Sequence, residues 1–164
     1  NKYGDTFVVP DGRFLKESAR IMSLDDPTSK MSKSALNEAS RISLLDPPSK
    51  IKKAIMRATT DSDGVVRFDM EEKPGISNLL NIYSSFSGRS VQDIEQQYAG
   101  MGYGTFKKDL VDIVVDGVLP IQKRYDDIRY SQELQDILQD GTARACAIAQ
   151  KTIQRVQERF GLGL

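Results

Sequence analysis

Two lysines and two serines fall within five consecutive residues, Lys30-Met31-Ser32-Lys33-Ser34. The stretch is too polar for a core strand and lacks the apolar spacing of an amphipathic helix, so it predicts an exposed loop. Lysines three residues apart on a turn can converge on one polyphosphate, while serine hydroxyls and free backbone amides donate to the same oxygens. The composition alone also permits a plain solvated loop.

The composition excludes several kinds of site. The chain has 164 residues, of which 39% are hydrophobic and 28% charged, as in ordinary globular proteins. It contains no histidine and a single cysteine, Cys146. The sequence therefore offers no histidine base and no intrachain disulfide, and we predict no metal ligands in it. One cysteine is typical of a reducing compartment, so we expect a cytoplasmic protein. No apolar run approaches the roughly 20 residues of a membrane span, so no membrane partner is expected.

The charge is unevenly distributed although the formal net charge is zero. Residues 1–60 contain 11 Lys or Arg and 7 Asp or Glu, whereas residues 61–164 contain 12 and 16. The basic part holds the lysine loop. This asymmetry favours an anionic ligand in the first third of the chain.

The first 60 residues contain short apolar pieces separated by turn residues. "TFVVP" at 6–10 and "RIMSL" at 20–24 are interpreted as short strands or loop segments that contact a core. Asp46 followed by Pro47 predicts a helix start, with Asp46 as the cap. Residues 61–75 are predicted to be a loop with at most a short strand at 65–68.

The remaining residues show helical periodicity. We predict helices from residue 76 to a stop at Gly88, from a cap at Ser90, from Thr105, and from a cap at Ser131. Pro120 lies inside the third of these and predicts a kink. Helices with such apolar stripes can bury one another as a bundle.

The lysine loop and two longer strings resemble a known family. "KMSKS" is similar to the signature loop of class I aminoacyl-tRNA synthetases. "RIMSLDDPTSKMSKS" and "KPGISNLLNIYSSFSG", the latter at residues 73–88, resemble the C-terminal half of the bacterial tryptophanyl enzymes. The resemblance extends over essentially the whole chain and is strongest at residues 19–88.

The resemblance implies a mainly α fold in two parts. Residues 1–60 would be the C-terminal remnant of a Rossmann-like α/β catalytic domain that carries the loop, and residues 61–164 a helical domain on the side of the tRNA anticodon. Lys30 and Lys33 would be catalytic, binding the β and γ phosphates of ATP. The rest of the ATP site would be Met31, Ser32, Ser34 and the backbone of Ile21, which would meet adenine.

The family also implies substrates and partners. These are ATP with Mg²⁺, tryptophan, tRNA(Trp) and a second copy of the full-length enzyme. Because this chain has no histidine, it lacks the family's His-containing ATP motif, and we expect it to be inactive alone. Ala35 stands where the family usually has Asp, which affects the resting geometry of the loop rather than its charge.

Two alternatives remain open from the residues themselves. The chain could be a non-catalytic helical module that binds a partner or RNA through its basic, serine-bearing loop. It could also be part of a tyrosyl-tRNA synthetase, since amino-acid specificity rests here on resemblance alone.

Overall fold

The computed structural model describes residues 2–13 and 20–162. Within them, residues 2–13 and 124–162 form one compact unit and residues 20–123 form another. The lysine loop belongs to the second unit. Among the described residues, none of the helices combines the length and the hydropathy that a membrane span requires.

The described residues are mainly helical, as predicted. The structure contains a short 3₁₀ helix at Glu38–Ser40 and five α-helices, which we number in chain order. They are α1 (Pro48–Arg57), α2 (Pro74–Ser87), α3 (Val91–Gln97), α4 (Tyr103–Arg129) and α5 (Gln132–Phe160). The described part of the chain contains no strand, only an isolated bridge between Met22 and Lys30. The short strands considered for residues 6–10 and 65–68 do not form there.

Helix α1 follows the lysine loop and packs through its apolar face. Ile51, Ala54 and Ile55 are buried, as their spacing predicts. The expected cap by Asp46 is wrong, because Pro47 occupies the cap position and no side chain caps the helix. The Asp46 carboxylate instead accepts from the backbone N–H of Ser43 at 2.9 Å.

Helices α2 and α3 form the centre of the second unit. Nine residues of α2 are buried, including Leu79, Leu80 and Tyr83. Gly88 ends α2 with φ of 70°, a left-handed conformation that glycine adopts at little cost. Ser90 caps α3 as predicted, since its hydroxyl accepts from the N–H of Asp93 at 3.2 Å. Both signals are local, which explains why they can be predicted.

Helix α4 begins at Tyr103, two residues before the predicted start, and continues through Pro120 to Arg129. In its first half, an apolar side chain is buried at every fourth position. These side chains are those of Phe106, Leu110, Val114 and Val118. Phe106 packs on Tyr83 and Tyr98 with ring centroids 5.7 and 5.1 Å apart. This cluster joins α2, α3 and α4 into one core.

Helix α5 belongs to the first unit and forms where a helix with an apolar stripe was predicted. None of its residues is fully buried, and Leu134 and Val156 of the stripe are half-buried. Ser131 occupies the cap position without capping, because its hydroxyl donates to the carbonyl of Ile128 at 2.9 Å. Burial of a helix stripe depends on a partner surface, which periodicity does not identify.

Candidate functional site

The lysine loop continues from a short antiparallel stem, in which residues 21–23 lie alongside residues 29–31. Met22 lies opposite Lys30 in the isolated bridge. The N–H of Met31 donates to the carbonyl of Ile21 at 3.1 Å, and the N–H of Ser23 donates to the carbonyl of Ser29 at 2.8 Å. The structure thus brings Ile21 and the first loop residues together, although ten positions separate Ile21 from Met31.

The stem is closed by a turn built on Asp26. Its carboxylate accepts from the hydroxyl of Thr28 at 2.6 Å and from the hydroxyl of Ser29 at 2.6 Å. These hydrogen bonds lower the pKa of the Asp26 carboxyl, and the bond from Ser29 has the largest effect. Because Asp26 is occupied by its own turn, it is not a partner of the loop lysines.

Asp25 is likewise hydrogen-bonded to groups other than the lysines. Its carboxylate accepts from the hydroxyl of Ser23 and the side-chain amide of Asn37. The hydrogen bond from Ser23 is the main cause of the lowered pKa of Asp25. The two acids that precede the loop therefore shape the backbone and leave the lysine charges uncompensated.

The tip of the loop is exposed and rich in donors. Lys30, Ser32, Lys33 and Ser34 are exposed, and among the described residues neither lysine forms an ion pair. The hydroxyls of Ser32 and Ser34 lie 3.1 Å apart. Two ammonium groups with neighbouring hydroxyls fit the anionic oxygens of a polyphosphate.

Met31 and Ala35 hold the tip at both ends. Met31 is half-buried and packs against the core, so its side chain fastens the loop between the two lysines. The N–H of Ala35 donates to the carbonyl of Ser32 at 3.3 Å, and the carbonyl of Ala35 accepts from the Arg41 guanidinium at 2.8 Å. The turn at Ala35 is therefore closed by one backbone hydrogen bond and by the Arg41 side chain.

Asn78 on α2 contacts the stem, a role that the sequence did not indicate. Its Oδ1 accepts from the N–H of Met22 at 2.8 Å and its Nδ2 donates to the carbonyl of Met22 at 2.9 Å. Periodicity assigned only apolar residues of this segment, such as Leu79 and Leu80, to the core and gave Asn78 no role. No signal in the sequence indicated this contact, because the partner Met22 is distant and the helix also carries the polar residues Ser77, Asn81 and Ser84.

A strap at residues 58–60, between α1 and α2, supports the stem from another side. The N–H of Thr59 donates to the carbonyl of Leu24 at 2.7 Å, and its hydroxyl donates to the carbonyl of Asp25 at 2.8 Å. Lys107 of α4 reaches the strap and donates to the carbonyl of Ala58 at 2.8 Å. Burial lowers the pKa of the Lys107 ammonium.

Lys73 forms a second cluster that is structural rather than ligand-binding. Its ammonium forms ion pairs with Asp61 at 3.1 Å and with Asp63. Because protein groups surround this ammonium, it is not available to bind a ligand. It also donates to the Tyr103 hydroxyl at 2.8 Å. Burial lowers the pKa of Lys73 and these hydrogen bonds raise it, with a net rise. The hydrogen bond from Lys73 lowers the pKa of Asp63.

No group of three Cys, Asp or Glu side chains in the described residues is arranged to hold a metal ion. The donor set of the loop is instead cationic and neutral, which suits an anion. A Mg²⁺ ion would fit here only as the companion of a polyphosphate, through the phosphate oxygens.

Comparison with known proteins identifies close relatives. A family model described as tRNA synthetases class I (W and Y) matches residues 1–116. The tryptophan--tRNA ligase of Oceanobacillus iheyensis is 49% identical over 163 residues, which are 99% of this chain and 50% of that relative. The chain spans about half the length of the curated relatives it matches.

Two solved structures are similar to this chain in fold. The tryptophanyl-tRNA synthetase from Mycoplasma pneumoniae matches with a TM-score of 0.83 at 34% identity, over 91% of this chain and 47% of that one. The enzyme from Campylobacter jejuni, complexed with ADP and tryptophan, matches with a TM-score of 0.62 at 29% identity. That match covers 98% of this chain and 49% of the other.

Proposed function

Because the chain belongs to the class I tRNA synthetases of the tryptophan and tyrosine family, we propose that it is the C-terminal part of a tryptophan–tRNA ligase. The full-length enzyme would activate tryptophan with ATP to tryptophanyl-adenylate and transfer it to tRNA(Trp). One observation carries the proposal. Lys30 and Lys33 lie exposed and unpaired among the described residues, on a stem that is hydrogen-bonded into the core.

The two lysines would stabilise the charge that develops on pyrophosphate. As the tryptophan carboxylate attacks the α phosphorus, the bond to the bridging oxygen breaks and negative charge accumulates on the β and γ phosphates. Lys30 and Lys33 would hold these oxygens, and Ser32 and Ser34 would add hydroxyl donors. Such catalysis is electrostatic and positional and needs no proton transfer from the loop. Mg²⁺ bound with ATP would neutralise further phosphate charge.

Ile21 and Met31 would complete the ATP site. As the resemblance implies, adenine would contact the backbone of Ile21, whose carbonyl accepts from the N–H of Met31 in the stem. Met31 would anchor the loop to the core while the lysines move with the leaving group. The solved relative from Campylobacter jejuni holds ADP and tryptophan, which supports a nucleotide and a tryptophan site in the full-length protein.

We further propose a domain assignment, a cellular location and an oligomeric state. Residues 1–60 would belong to the Rossmann-like catalytic domain and residues 61–164 to the helical domain on the anticodon side. The tryptophan pocket would be formed mostly by residues outside this chain. The full-length enzyme would be a cytoplasmic homodimer.

A non-catalytic interaction module is not favoured. The identity to a relative named tryptophan--tRNA ligase extends over 99% of the chain and is not confined to one part of it. The same relative favours tryptophan over tyrosine within the family.

The test is amino-acid specificity in the full-length protein that contains this chain. With ATP, Mg²⁺ and cognate tRNA, we expect charging with tryptophan and no more than background charging with tyrosine. A preference for tyrosine would reassign the substrate. Absence of charging with either amino acid, in a protein that binds ATP and is folded, would contradict the proposal.

A further inference from the structure

Asn78 and Met22 are joined by two hydrogen bonds across 56 residues of sequence. Both residues are buried, with exposed fractions of 2% and 8%. The carboxamide of Asn78 accepts from the peptide N–H of Met22 and donates to its carbonyl, at 2.8 and 2.9 Å. One side chain thus satisfies both backbone groups of one residue.

The antiparallel stem explains why these two groups need a partner. The bonds that flank the bridge run from Ser23 to Ser29 and from Met31 to Ile21. In this pattern the N–H and carbonyl of Met22 point away from Lys30, toward what would be a further strand. Asn78 occupies that edge with a donor and an acceptor at the spacing of a peptide group. Its carboxamide therefore takes the place of a neighbouring strand.

This contact connects the core to the lysine loop directly. Met22 lies opposite Lys30, so a shift of Met22 moves the point from which the loop leaves the stem. Helix α2, which carries Asn78, is the most deeply buried helix of the second unit. Its Tyr83 packs on Tyr98 and on Phe106 of α4, contacts that do not involve the loop. Asn78 connects this packed helix to the stem.

We propose that Asn78 is a positioning residue for the lysine loop, one that fixes where Lys30 and Lys33 meet the phosphates. This inference rests on the proposed function. Asn78 does not touch the substrate in this scheme and acts only through Met22. A buried carboxamide in this part of α2 would destabilise the core without hydrogen-bond partners, and Met22 supplies one partner for its oxygen and one for its nitrogen.

The first test compares N78A with N81A in the full-length protein. Asn81 lies on the same helix, is only half-buried and makes no hydrogen bond with the stem among the described residues. We expect N78A to increase hydrogen exchange of the peptides covering residues 21–31 by roughly tenfold or more, because Met22 loses both partners. N81A should leave these peptides unchanged.

The second test measures tryptophan-dependent exchange of pyrophosphate into ATP. With rates corrected for the active fraction by adenylate burst titration, N78A should lower kcat by roughly tenfold or more while the KM for tryptophan changes little. A residue needed only for folding would lower the active fraction and leave the corrected kcat unchanged.

The third test uses pH to restore the contact. In N78D the protonated carboxyl can donate to the Met22 carbonyl and accept from its N–H, whereas the carboxylate cannot donate. Burial favours the neutral form. The corrected kcat of N78D, divided by that of the wild type, should therefore rise as the pH falls from 8 to 5.5. N81D should show a flat ratio.

The outcomes separate the two proposals. If the wild type exchanges no pyrophosphate but N78A loosens residues 21–31, the proposed function fails while the structural contact stands. If the wild type is active and N78A matches N81A in hydrogen exchange and corrected kcat, the positioning role of Asn78 is wrong. A flat pH ratio for N78D would contradict it as well.

Discussion

Lys107 is a lysine whose ammonium lies inside the protein. It is 7% exposed and donates to the carbonyl of Ala58 and to the hydroxyl of Thr60. Ala58 caps the C-terminal end of α1, where helix carbonyls are unsatisfied and the helix dipole is negative. The Lys107 ammonium thus supplies hydrogen-bond donors to a helix end and to the strap although burial disfavours its charge, whereas Lys30 and Lys33 are exposed to solvent.

We expect K107M to destabilise the full-length protein. The Ala58 carbonyl would lose its buried donor, which typically costs about 1–3 kcal/mol of the free energy of unfolding. Lys108 is the adjacent, exposed lysine, so K108M is the control and should change this free energy by less than about 0.5 kcal/mol. Denaturant unfolding measures both. Equal effects would show that Lys107 is not a buried anchor.

The pH dependence of the same variant has a definite sign. Burial lowers the pKa of Lys107 below its ordinary value of 10.5, so the unfolded chain binds more protons than the folded chain in the window just below 10.5. The stability of the wild type relative to K107M should therefore rise as the pH increases toward 10.5. Unfolding of both proteins between pH 7 and 10 tests this. A fall over that range would mean that the pKa is raised instead.

Asp63 should make the stability of the protein depend on pH in the acid range. Its pKa lies below the ordinary value of 3.8, chiefly because Lys73 donates to its carboxylate. Its stabilising contribution is present above pH 3.8 and is lost as the pH falls through the lower, folded-state pKa. At pH 6, D63N should have a lower midpoint of thermal unfolding than the wild type. The difference should shrink below pH 3.8.

An exposed acid provides the control for this prediction. Asp127 on α4 is exposed and pairs with no cation among the described residues. D127N should leave the midpoint unchanged at both pH values. A D63N difference that persists or grows in acid would show that the Lys73 pair does not stabilise the fold.

At the residue scale, the sequence predicts chemistry that is local and misses chemistry that depends on distant partners. The lysine loop is recognisable because its five residues are consecutive. Asn78 is not, since its partner Met22 lies 56 positions away. In the sequence, Lys107 resembles a surface lysine. Its burial results from contact with the end of α1, which is distant in sequence and close only in the folded chain.

Helix α2 depends on the absence of a side chain at Gly75. A Cβ placed there would lie 2.2 Å from the carbonyl oxygen of Thr59, a backbone atom of the strap that cannot move aside cheaply. We expect G75A to lower the free energy of unfolding by about 1–3 kcal/mol, the usual cost of overpacking. Because Thr59 supports Leu24 and Asp25, pyrophosphate exchange should fall too.

The matched control is G104A. A Cβ at Gly104 would have no neighbour within 4 Å, and the residue lies in the first turn of α4. Alanine is the better helix former by up to about 1 kcal/mol, so G104A should be neutral or stabilising. Thermal unfolding distinguishes the two variants. A G75A protein as stable as G104A would contradict the close approach of α2 to the strap.

At the element scale, helices were predictable and short strands were not. Helix α3 and the end of α2 follow signals within four residues, Ser90 and Gly88. The strand at residues 20–24 reduces to a bridge at Met22, because a strand requires a pairing partner that its own residues do not specify. Asp46 failed as a cap since its carboxylate binds the N–H of Ser43 and pairs with Lys50.

At the scale of the whole molecule, the described chain divides into two compact units, and α5 belongs to the first of them. Ile148 and Ile153 are 69% and 55% exposed, although their spacing predicts a core face. Within its own unit, α5 contacts the first residues of the chain, where Tyr3 stacks on Phe160 with ring centroids 4.1 Å apart. The periodicity correctly predicted the helix, but not which surface would cover it.

The 164 residues alone should not activate tryptophan. They supply the lysine loop but contain no histidine, so the His-containing ATP motif implied by the resemblance is absent. In an adenylate burst assay with ATP, Mg²⁺ and tryptophan, we expect no burst from this chain and a burst from the full-length protein. A stoichiometric burst from the chain alone would show that the active site is complete within it.

We propose that Lys30 and Lys33 of the full-length enzyme bind the phosphates of ATP during tryptophan activation. Tryptophan-dependent pyrophosphate exchange tests this most directly, by comparing the full-length protein that carries both K30A and K33A with one that carries both K52A and K53A. Lys52 and Lys53 are exposed on α1, so the control removes the same charge nearby. We predict that the loop variant loses roughly 100-fold or more in kcat while the control keeps wild-type exchange. Equal rates for the two double variants would contradict the account.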